Sequence, residues 1–514
     1  MGRGKGSRTL PRPVAQQQPQ SAAVETSAQA LPQALAAGLV FAASGAVLVL
    51  EILSVRLLAP YVGLTLETTT SIIGAVLAGI AAGAALGGRM ADRMNPRRLV
   101  VVLFIGGGLL VLLTVPIVRA LGPSASEGGD LAAVGVTFAA LVPLAAVLSA
   151  VTPTVAHLQL RDLSASGTVV GRLSGWATAG ALVGTFGTGF VLVPLLPVST
   201  SVLAIGILLV IFGSLLGLYT RVFKLAMIAG TVILTLAFAS VALAQHSPCE
   251  AETAYYCIQT EPDSENPQAE VLILDRGYNS DIDPSDPSYL GFSYELWISN
   301  SIDAIGRPSS PLRAVFVGGG AFTLSRWLQA VRPGSSSNVL EVDGGLVEFD
   351  RKHLGLRTSS ALRATVGDAR LTMQREPTGS ADVVVGDAFS SRTVPWQLMT
   401  TEWLHEVKRV LKPGGLYALN MIDYPPLALL RAEAATLLAG FTNVQMVTVP
   451  GAGGRPAGGN IVLLASNGKL PATHGAEADG ASLFDRRAVV RLVGGAEALR
   501  DDYAPVDQLE TRPN

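Results

Sequence analysis

Charged residues are scarce in this chain of 514 amino acids, at 15% of the total, while 49% of the residues are hydrophobic. Together with a positive mean hydropathy, this composition is too apolar for an ordinary soluble protein. The formal net charge of −2 leaves no basic face, and no ladder of aromatic and basic residues follows the chain, so a nucleic-acid partner is excluded. The five histidines lack the spacing of metal ligands, and no metal site is expected.

Cysteine is nearly absent. The only two cysteines, Cys249 and Cys257, follow closely on the last long apolar segment. A disulfide between them fits an oxidising compartment, whereas two unpaired thiols beside a membrane fit the sequence equally well. Both interpretations stay open.

The apolar residues are concentrated between Leu31 and Gln245, and charges and prolines return at ordinary density from His246 onward. Apolar windows of about 20 residues predict seven membrane-spanning helices, so the chain is expected to be a multi-pass protein of the cell membrane, in contact with the lipid bilayer. The windows are 35–59, 67–88, 99–119, 131–155, 173–193, 199–218 and 225–244. Residues 1–30 are rich in Gln, Ser, Ala and Pro and are predicted to be disordered.

Basic residues cluster in alternate connections, namely the N-terminal tail and residues 89–98, 161–172 and 221–224. By the positive-inside rule these connections face the cytoplasm, and an odd number of spans then places the C-terminal half outside. If one window is a re-entrant pair, that half is cytoplasmic instead. The side of the membrane stays open.

Three features inside the apolar half carry structural predictions. Gly79, Gly83 and Gly87 repeat every four residues and predict a close contact between helices. Glu51 lies within the first predicted helix, where a charge is costly, so we expect it to pair with Arg56 or with a polar group on another helix. Arg56 lies near the helix end and is expected to extend toward the interface.

The C-terminal half alternates short apolar runs with helical segments. Residues 254–275 predict a small antiparallel meander, and residues 292–422 alternate strands and helices as in a doubly wound parallel sheet. Residues 443–449 and 460–465 are expected to add the last, antiparallel strands. The expected parts are a tail (1–30), a transmembrane domain (31–245), a β-rich part (246–300), a Rossmann-like nucleoside-binding domain (301–470) and a C-terminal tail with a closing segment (471–514).

A glycine turn follows the first strand of this alternation. Gly318, Gly319 and Gly320 let a ligand approach the backbone without an intervening side chain, and Glu341 ends the next strand, where an acid can accept both hydroxyls of a ribose. The turn reads Gly-Gly-Gly-Ala-Phe-Thr rather than Gly-x-Gly-x-x-Gly. A nucleoside without phosphates therefore fits better than a dinucleotide.

Two further acids follow strands. Asp368 ends the third strand and can accept an adenine amino hydrogen, with Ala369 at the ring edge, and Asp387 ends the fourth. Ligands bind beyond the carboxyl ends of parallel strands, so this order predicts an adenosine ligand. The alternative is that these residues are the caps and turns of an inert α/β domain.

On these residues the C-terminal half resembles the spermidine synthase (polyamine aminopropyltransferase) family, a branch of the S-adenosylmethionine-dependent methyltransferase fold. The resemblance runs from Tyr255 to Asp507 and includes the 411–415 Leu-Lys-Pro-Gly-Gly turn and the closing 501–507 segment. It implies a Rossmann-like α/β domain with a seven-stranded, methyltransferase-type sheet beside the multi-pass helical domain. The membrane-fused bacterial members of this family are the most similar, because the resemblance to them also includes residues 44–46 and 51–56 of the apolar half.

The resemblance implies a transferase that moves an aminopropyl group from decarboxylated S-adenosylmethionine to an amine such as putrescine. Asp387 is then the catalytic acid-base residue, and Tyr294 positions the amine. No tightly bound cofactor is expected, because the nucleoside is a co-substrate. The expected partners are a small-molecule amine and the lipid bilayer. Whether the protein forms a homodimer stays open. The implied nucleoside-binding residues are Gly318, Gly319, Gly320, Glu341 for the ribose, Asp368 and Ala369 for the adenine, and Pro395 at its border.

The acceptor side departs from the family pattern. Ala321 and Ser390 stand where the family has Asp, Glu295-Leu296 replaces a His-Glu pair, and Tyr256 replaces a Gln. Because the family binds a dicationic acceptor with several carboxylates, putrescine is not assured. The acceptor and the activity of the site stay open.

Two other functions are therefore considered. One is an S-adenosylmethionine-dependent methyltransferase acting on a membrane or envelope substrate, with Arg326 or Arg392 binding the donor carboxylate. The other is a non-catalytic polyamine transporter or sensor, favoured by Glu51 and by the Gly88–Arg93 loop, which is similar to a loop of major-facilitator transporters.

Overall fold

The computed structural model describes residues 31–63, 66–160, 166–389, 394–470 and 480–511, together with Gly2. Apart from Gly2, the tail predicted to be disordered lies outside these residues. The helical half consists of long apolar helices. They are α1 (Gln33–Val62), α2 (Leu66–Arg93), α3 (Pro96–Glu127), α4 (Gly129–Ser149), α5 (Val151–Gln159), α6 (Ser166–Gly187), α7 (Val198–Tyr219) and α8 (Leu225–Ala244).

Seven stretches of the described chain are long and apolar enough to cross a membrane, as predicted. One stretch joins α4 and α5, and another continues from α6 through a π-helical turn, Thr188–Leu192, to Leu195. The helices begin where capping residues allow. Asn95, for example, accepts hydrogen bonds from the N–H groups of Arg97 and Arg98, and Pro96 occupies the first position of α3.

The predicted glycine face is a contact between α2 and α4. A Cβ atom on Gly79 would lie 2.6 Å from the Cβ of Ala145, and one on Gly87 would lie 2.7 Å from the Cβ of Ala150. No side chain fits in that space, so these glycines allow the two helix backbones to touch. The prediction of a close helix contact is confirmed.

The prediction of a polar partner for Glu51 was wrong. Glu51 forms no hydrogen bond or ion pair with any of the described residues. Arg56, near the end of α1, lines a small cavity between the two halves of the protein, together with Arg119 and Glu252, and its expected extension toward the membrane interface stays a prediction. Its Nε atom is buried there without a hydrogen-bond partner among the described residues.

The α/β half (residues 246–511) begins with a four-stranded antiparallel meander in the order β1-β2-β3-β4, as predicted. A disulfide joins Cys249 to Cys257, at the start of β2. Helix α9 (Ser293–Asp303) follows the meander. The meander strands are β1 (Ala251–Glu252), β2 (Cys257–Pro262), β3 (Glu270–Leu274) and β4 (Gly277–Ile282).

The main sheet alternates strands with helices. Its strands are β5 (Arg313–Val317), β6 (Ser336–Glu341), β7 (Leu362–Val366), β8 (Ala381–Gly386), β9 (Leu411–Asp423), β10 (Asn443–Thr448), β11 (Gly459–Ser466) and β12 (Ser482–Phe484). The helices between and after them are α10 (Thr323–Val331), α11 (Gly344–Lys352), α12 (Ala369–Thr372), α13 (Thr401–Val410), α14 (Ala428–Gly440), α15 (Arg486–Val493) and α16 (Val506–Leu509).

The strand order is β12-β10-β11-β9-β8-β5-β6-β7. Strands β5 to β9 pair in parallel, and β11 pairs antiparallel with β9 and β10. Helices cover both faces, so the strands are buried on both sides: Val315 and Val317 face one apolar cluster, while Ala314 and Phe316 face the other. The predicted Rossmann-like, methyltransferase-type sheet is confirmed. It has an eighth strand, β12, from the segment that the sequence assigned to a tail.

The two halves contact each other through polar groups. Arg119 of α3 donates to the backbone oxygen of Gln245 at 2.8 Å and lies 3.9 Å from the carboxylate of Glu252 on β1. The same carboxylate accepts hydrogen bonds from the N–H and hydroxyl of Ser199, at the start of α7. These contacts use the ends of α3 and α8 and the start of α7. Because the helices alternate in direction, the basic connections 89–98 and 221–224 lie at the opposite ends.

Candidate active site

The glycine turn after β5 brings two strand ends together. Gly318 has φ 98°, and a Cβ atom there would lie 2.8 Å from the backbone carbon of Asp387. Both its conformation and the space around it therefore require glycine. The N–H of Gly319 donates to Glu341 Oε2 at 2.7 Å. Gly320 also has a positive φ, 48°, and packs against Ser280 of β4.

Glu341 is the last residue of β6 and 5% exposed. Its Oε1 atom accepts the N–H of Asp343 at 2.9 Å, so each carboxylate oxygen holds one backbone hydrogen bond. Burial raises the pKa of Glu341, and these backbone donors act against that rise. The remaining lone pairs can accept the two hydroxyls of a ribose.

Asp368 follows β7 and caps helix α12. Its Oδ1 atom accepts the N–H groups of Arg370 at 2.8 Å and Leu371 at 3.3 Å. Asp368 is therefore a helix cap, which is the alternative role that the sequence analysis considered for it. Asp368, Ala369 and Pro395 also line one cleft together, so a cap and a ligand contact are compatible at this position.

Asp387 directly follows β8 and binds two side chains from distant parts of the chain. Tyr294 on α9 donates its hydroxyl to Oδ2 at 3.1 Å, and the Asn420 amide donates to Oδ1 at 2.9 Å. Burial raises the pKa of Asp387 to about 6, and the two hydrogen bonds oppose the rise. A carboxylate with a pKa in this range can accept a proton near neutral pH.

Tyr294 is 7% exposed and stacks on Phe292 at a ring-centroid distance of 6.0 Å. Burial, followed by the charge of Asp387, raises the pKa of its hydroxyl well above the usual value. The hydroxyl therefore stays protonated and remains a donor. It also lies 3.5 Å from the backbone oxygen of Asn279, which links Asp387 to the meander.

A cleft of about 1280 Å³ brings the predicted residues together. The glycines, Glu341, Asp368, Ala369, Asp387 and Pro395 line it, and Tyr294 lies behind Asp387. One wall comes from the helical half, through residues at the end of α1 and the start of α2. Among the lining residues that the structure describes, six are acidic and one, Arg276, is basic. The cleft is suited to a cationic ligand.

No protein-family model matches the chain. The polyamine aminopropyltransferase of Vibrio vulnificus (strain CMCP6) is 26% identical over 163 residues, which make up 31% of this chain and 52% of that protein. The similarity is to polyamine aminopropyltransferases. The chain spans about half the length of the curated relative that it matches.

Two solved structures are also similar. A probable spermidine synthase from Corynebacterium glutamicum ATCC 13032 is 27% identical with a TM-score of 0.45, covering 50% of this chain and 96% of that one. Human methyltransferase-like protein 13, solved in complex with SAH, is 18% identical with a TM-score of 0.31, covering 43% of this chain and 100% of that one. Neither comparison covers more than half of this chain.

The residues that differ from the polyamine aminopropyltransferase pattern do not all lie in the cleft. Ala321 is fully buried in an apolar cluster under the meander. Glu295 is 1% exposed and hydrogen-bonds Asp281, and burial raises its pKa well above the usual value. Neither residue lines the cleft. Tyr256 does line it, and its hydroxyl donates to the backbone oxygen of Phe389 at 3.3 Å, whereas Ser390 lies outside the described residues.

Of the two arginines considered for the carboxylate of a methyl donor, the structure describes only Arg326. Arg326 donates to the backbone oxygen of Leu354 at 2.9 Å, lies beside the buried Asp350 and is not part of the cleft. Contact with a donor carboxylate is therefore not the role that the structure favours for Arg326. Arg392 lies outside the described residues. Arg276 of the β3–β4 turn does line the cleft.

Sequence reasoning missed two parts of the site. Asn420 is 1% exposed in the middle of the apolar strand β9, and the amide of Asn460 donates to it from β11 at 3.3 Å. A lone amide inside an otherwise apolar strand is the signal that would have identified Asn420. The wall from the helical half carried no such signal, because it depends on how the two halves pack.

Proposed function

We propose that this protein transfers an aminopropyl group from decarboxylated S-adenosylmethionine to an amine acceptor such as putrescine, which would give spermidine and methylthioadenosine. The observation that carries this proposal is the arrangement around Asp387. A buried carboxylate with a raised pKa follows β8 beside the glycine turn of β5, and Glu341 ends β6 on the other side of β5. The similarity to polyamine aminopropyltransferases supports the same class of transferase.

The chemistry uses Asp387 as a general base. The neutral amine attacks the methylene carbon next to the sulfonium, and a C–N bond forms as the C–S bond breaks. The sulfur keeps the electron pair and leaves as neutral methylthioadenosine. The proton of the new ammonium passes to Asp387, and a positioned base of this kind contributes about 10²- to 10⁴-fold to the rate.

The donor is held by the residues at the other strand ends. Glu341 is proposed to bind the ribose hydroxyls, Asp368 and Ala369 the adenine, and Pro395 its border. The excess of carboxylates in the cleft favours a sulfonium donor and an amine acceptor, because both are cations. We infer a location in the cell membrane, with the helical half as the anchor.

Methyl transfer from S-adenosylmethionine is the second candidate. One observation favours it, since Arg276 lines the cleft and a guanidinium group binds a carboxylate well. The decarboxylated donor has no carboxylate for Arg276 to bind. The two donors therefore distinguish the two functions.

The experiment uses the full-length protein purified in detergent. It is mixed with decarboxylated S-adenosylmethionine and putrescine, and separately with S-adenosylmethionine, and the nucleoside products are followed by mass. Methylthioadenosine that requires both the amine and Asp387, with Asp387→Asn as the control, is the expected result. S-adenosylhomocysteine instead would support methyl transfer, and neither product with no binding of either donor would refute both.

A further inference from the structure

Tyr255 presents an aromatic ring to the cleft. It lies in the short turn between β1 and β2 and is one of the residues that line the cleft. Its ring contacts that of Tyr256 at a centroid distance of 6.3 Å, but the side chain is still 42% exposed. Much of the ring surface is therefore open to a ligand in the cleft.

The ring lies on the donor side of the cleft. Burial, followed by the charges of Asp343 and Asp368, raises the pKa of the Tyr255 hydroxyl, and the charge of Glu341 adds to the rise. Such charge effects weaken with distance, so the hydroxyl lies beside these acids. Glu341 ends β6 and Asp368 follows the neighbouring strand β7. An adenosine bound across these two strand ends would lie next to Tyr255.

The turn that carries Tyr255 is fixed on both sides. The Thr253 hydroxyl accepts the N–H groups of Tyr255 at 3.1 Å and Tyr256 at 2.8 Å, and it donates to the carboxylate of Asp343, which follows β6. On the other side, Tyr256 and Arg56 of α1 line one small cavity. The turn is thus held between a membrane helix and the loop after β6. A ring held in this way loses little conformational freedom when a ligand binds.

The acids of the cleft recognise the edges of a nucleoside but not the face of its base. Asp368 can accept a hydrogen bond in the plane of an adenine, whereas the face of the ring needs an apolar or aromatic contact. Resting on the nucleoside site of the proposed function, we propose that Tyr255 stacks on the adenine of the donor and of methylthioadenosine. The β1–β2 turn is then part of the donor site, and the ring rather than the hydroxyl of Tyr255 provides the contact.

The test measures the binding of methylthioadenosine to the full-length protein in detergent by calorimetry. In Tyr255→Ala, we expect Kd to rise at least about fivefold, which is the lower end of what one stacked base contributes. Tyr255→Phe keeps the ring and should bind as the wild type does, whereas Tyr255→Leu keeps apolar volume without a ring and should lose affinity. Tyr278→Ala is the matched control, because Tyr278 is a 67% exposed tyrosine of the same meander that does not line the cleft.

Four results would overturn the assignment. Wild-type affinity in Tyr255→Ala or in Tyr255→Leu would show that no ring is needed at this position, and a full loss in Tyr255→Phe would assign the contact to the hydroxyl. An equal loss in Tyr278→Ala would attribute the effect to the meander as a whole.

Binding of S-adenosylhomocysteine separates this inference from the proposed function. That nucleoside carries the same adenine, so its affinity should fall in Tyr255→Ala as well. If both nucleosides bind through Tyr255 but the wild-type protein forms no methylthioadenosine from the decarboxylated donor and an amine, the proposed aminopropyl transfer fails and the stacking assignment stands. If the wild-type protein binds neither nucleoside, both are refuted.

Discussion

Replacing Tyr294 by phenylalanine should move the pH dependence of the reaction. The tyrosine hydroxyl donates to Asp387 at 3.1 Å. Burial raises the pKa of Asp387 to about 6, and this hydrogen bond opposes the rise. A hydrogen bond to a charged group contributes about 1.5–3 kcal/mol, and one pKa unit corresponds to about 1.4 kcal/mol. Without the hydroxyl, the pKa of Asp387 should therefore rise by about one to two units.

The sign of the effect follows from the role proposed for Asp387 as the general base. Asp387 accepts a proton only when ionised, so activity is lost as the pH falls through its pKa. We expect the acid limb of kcat/KM near pH 6 in the wild-type protein and about one to two units higher in Tyr294→Phe. At pH 7 this alone lowers the rate by about two- to tenfold, and raising the pH should restore it.

The measurement is kcat/KM for the amine between about pH 5 and 9.5. Tyr278→Phe is the matched control, because that side chain is 67% exposed and does not contact Asp387. A lower plateau with an unmoved acid limb would show that Tyr294 only positions the amine. A wild-type profile without any acid limb would refute the assignment of Asp387 as the base.

Three further predictions concern the turn, the contact between the halves and the topology. Gly318→Ala should abolish methylthioadenosine binding in calorimetry, since φ is 98° and the added methyl meets backbone; full binding would refute the role of the turn. Arg119→Ala leaves Glu252 without its cation and should lower the thermal midpoint by about 2–4 °C, while an equal midpoint would mean that the ion pair adds nothing. If the α/β half faces outward, Cys249 and Cys257 should react with a membrane-impermeant thiol reagent in intact cells after reduction, and labelling only after lysis would place them inside.

Much of the fold could be predicted because its signals are local. The seven apolar windows and the order of Gly318, Glu341 and Asp387 along the alternating strands depend on periodicity within about 20 residues. These features place the site at the carboxyl edge of a parallel sheet. The sheet and the number of long helices follow from the same short-range patterns.

The remaining features of the candidate site depend on contacts between residues that are distant in the sequence. Asn420 reaches Asp387 only because β9 lies beside β8, and Glu295 turns away from the cleft because Asp281 of β4 is within hydrogen-bonding distance. Arg56 lies against Tyr256 and Cys257 because the meander packs on the end of α1. The lone amide in β9 marks Asn420 as unusual, but no pattern within a single segment indicates which distant residue it, or the others, will contact.

The length of α1 connects this cleft to the physical state of the bilayer. With 30 residues, the helix is about 45 Å long, whereas the hydrocarbon core of a bilayer is about 30 Å thick. A helix that is too long responds to membrane thickness by tilting, and tilting would move Val55 and Val62, which form part of the cleft wall. Lipid acyl-chain length would then affect the width of the cleft, so that the proposed turnover in reconstituted vesicles should vary with membrane thickness.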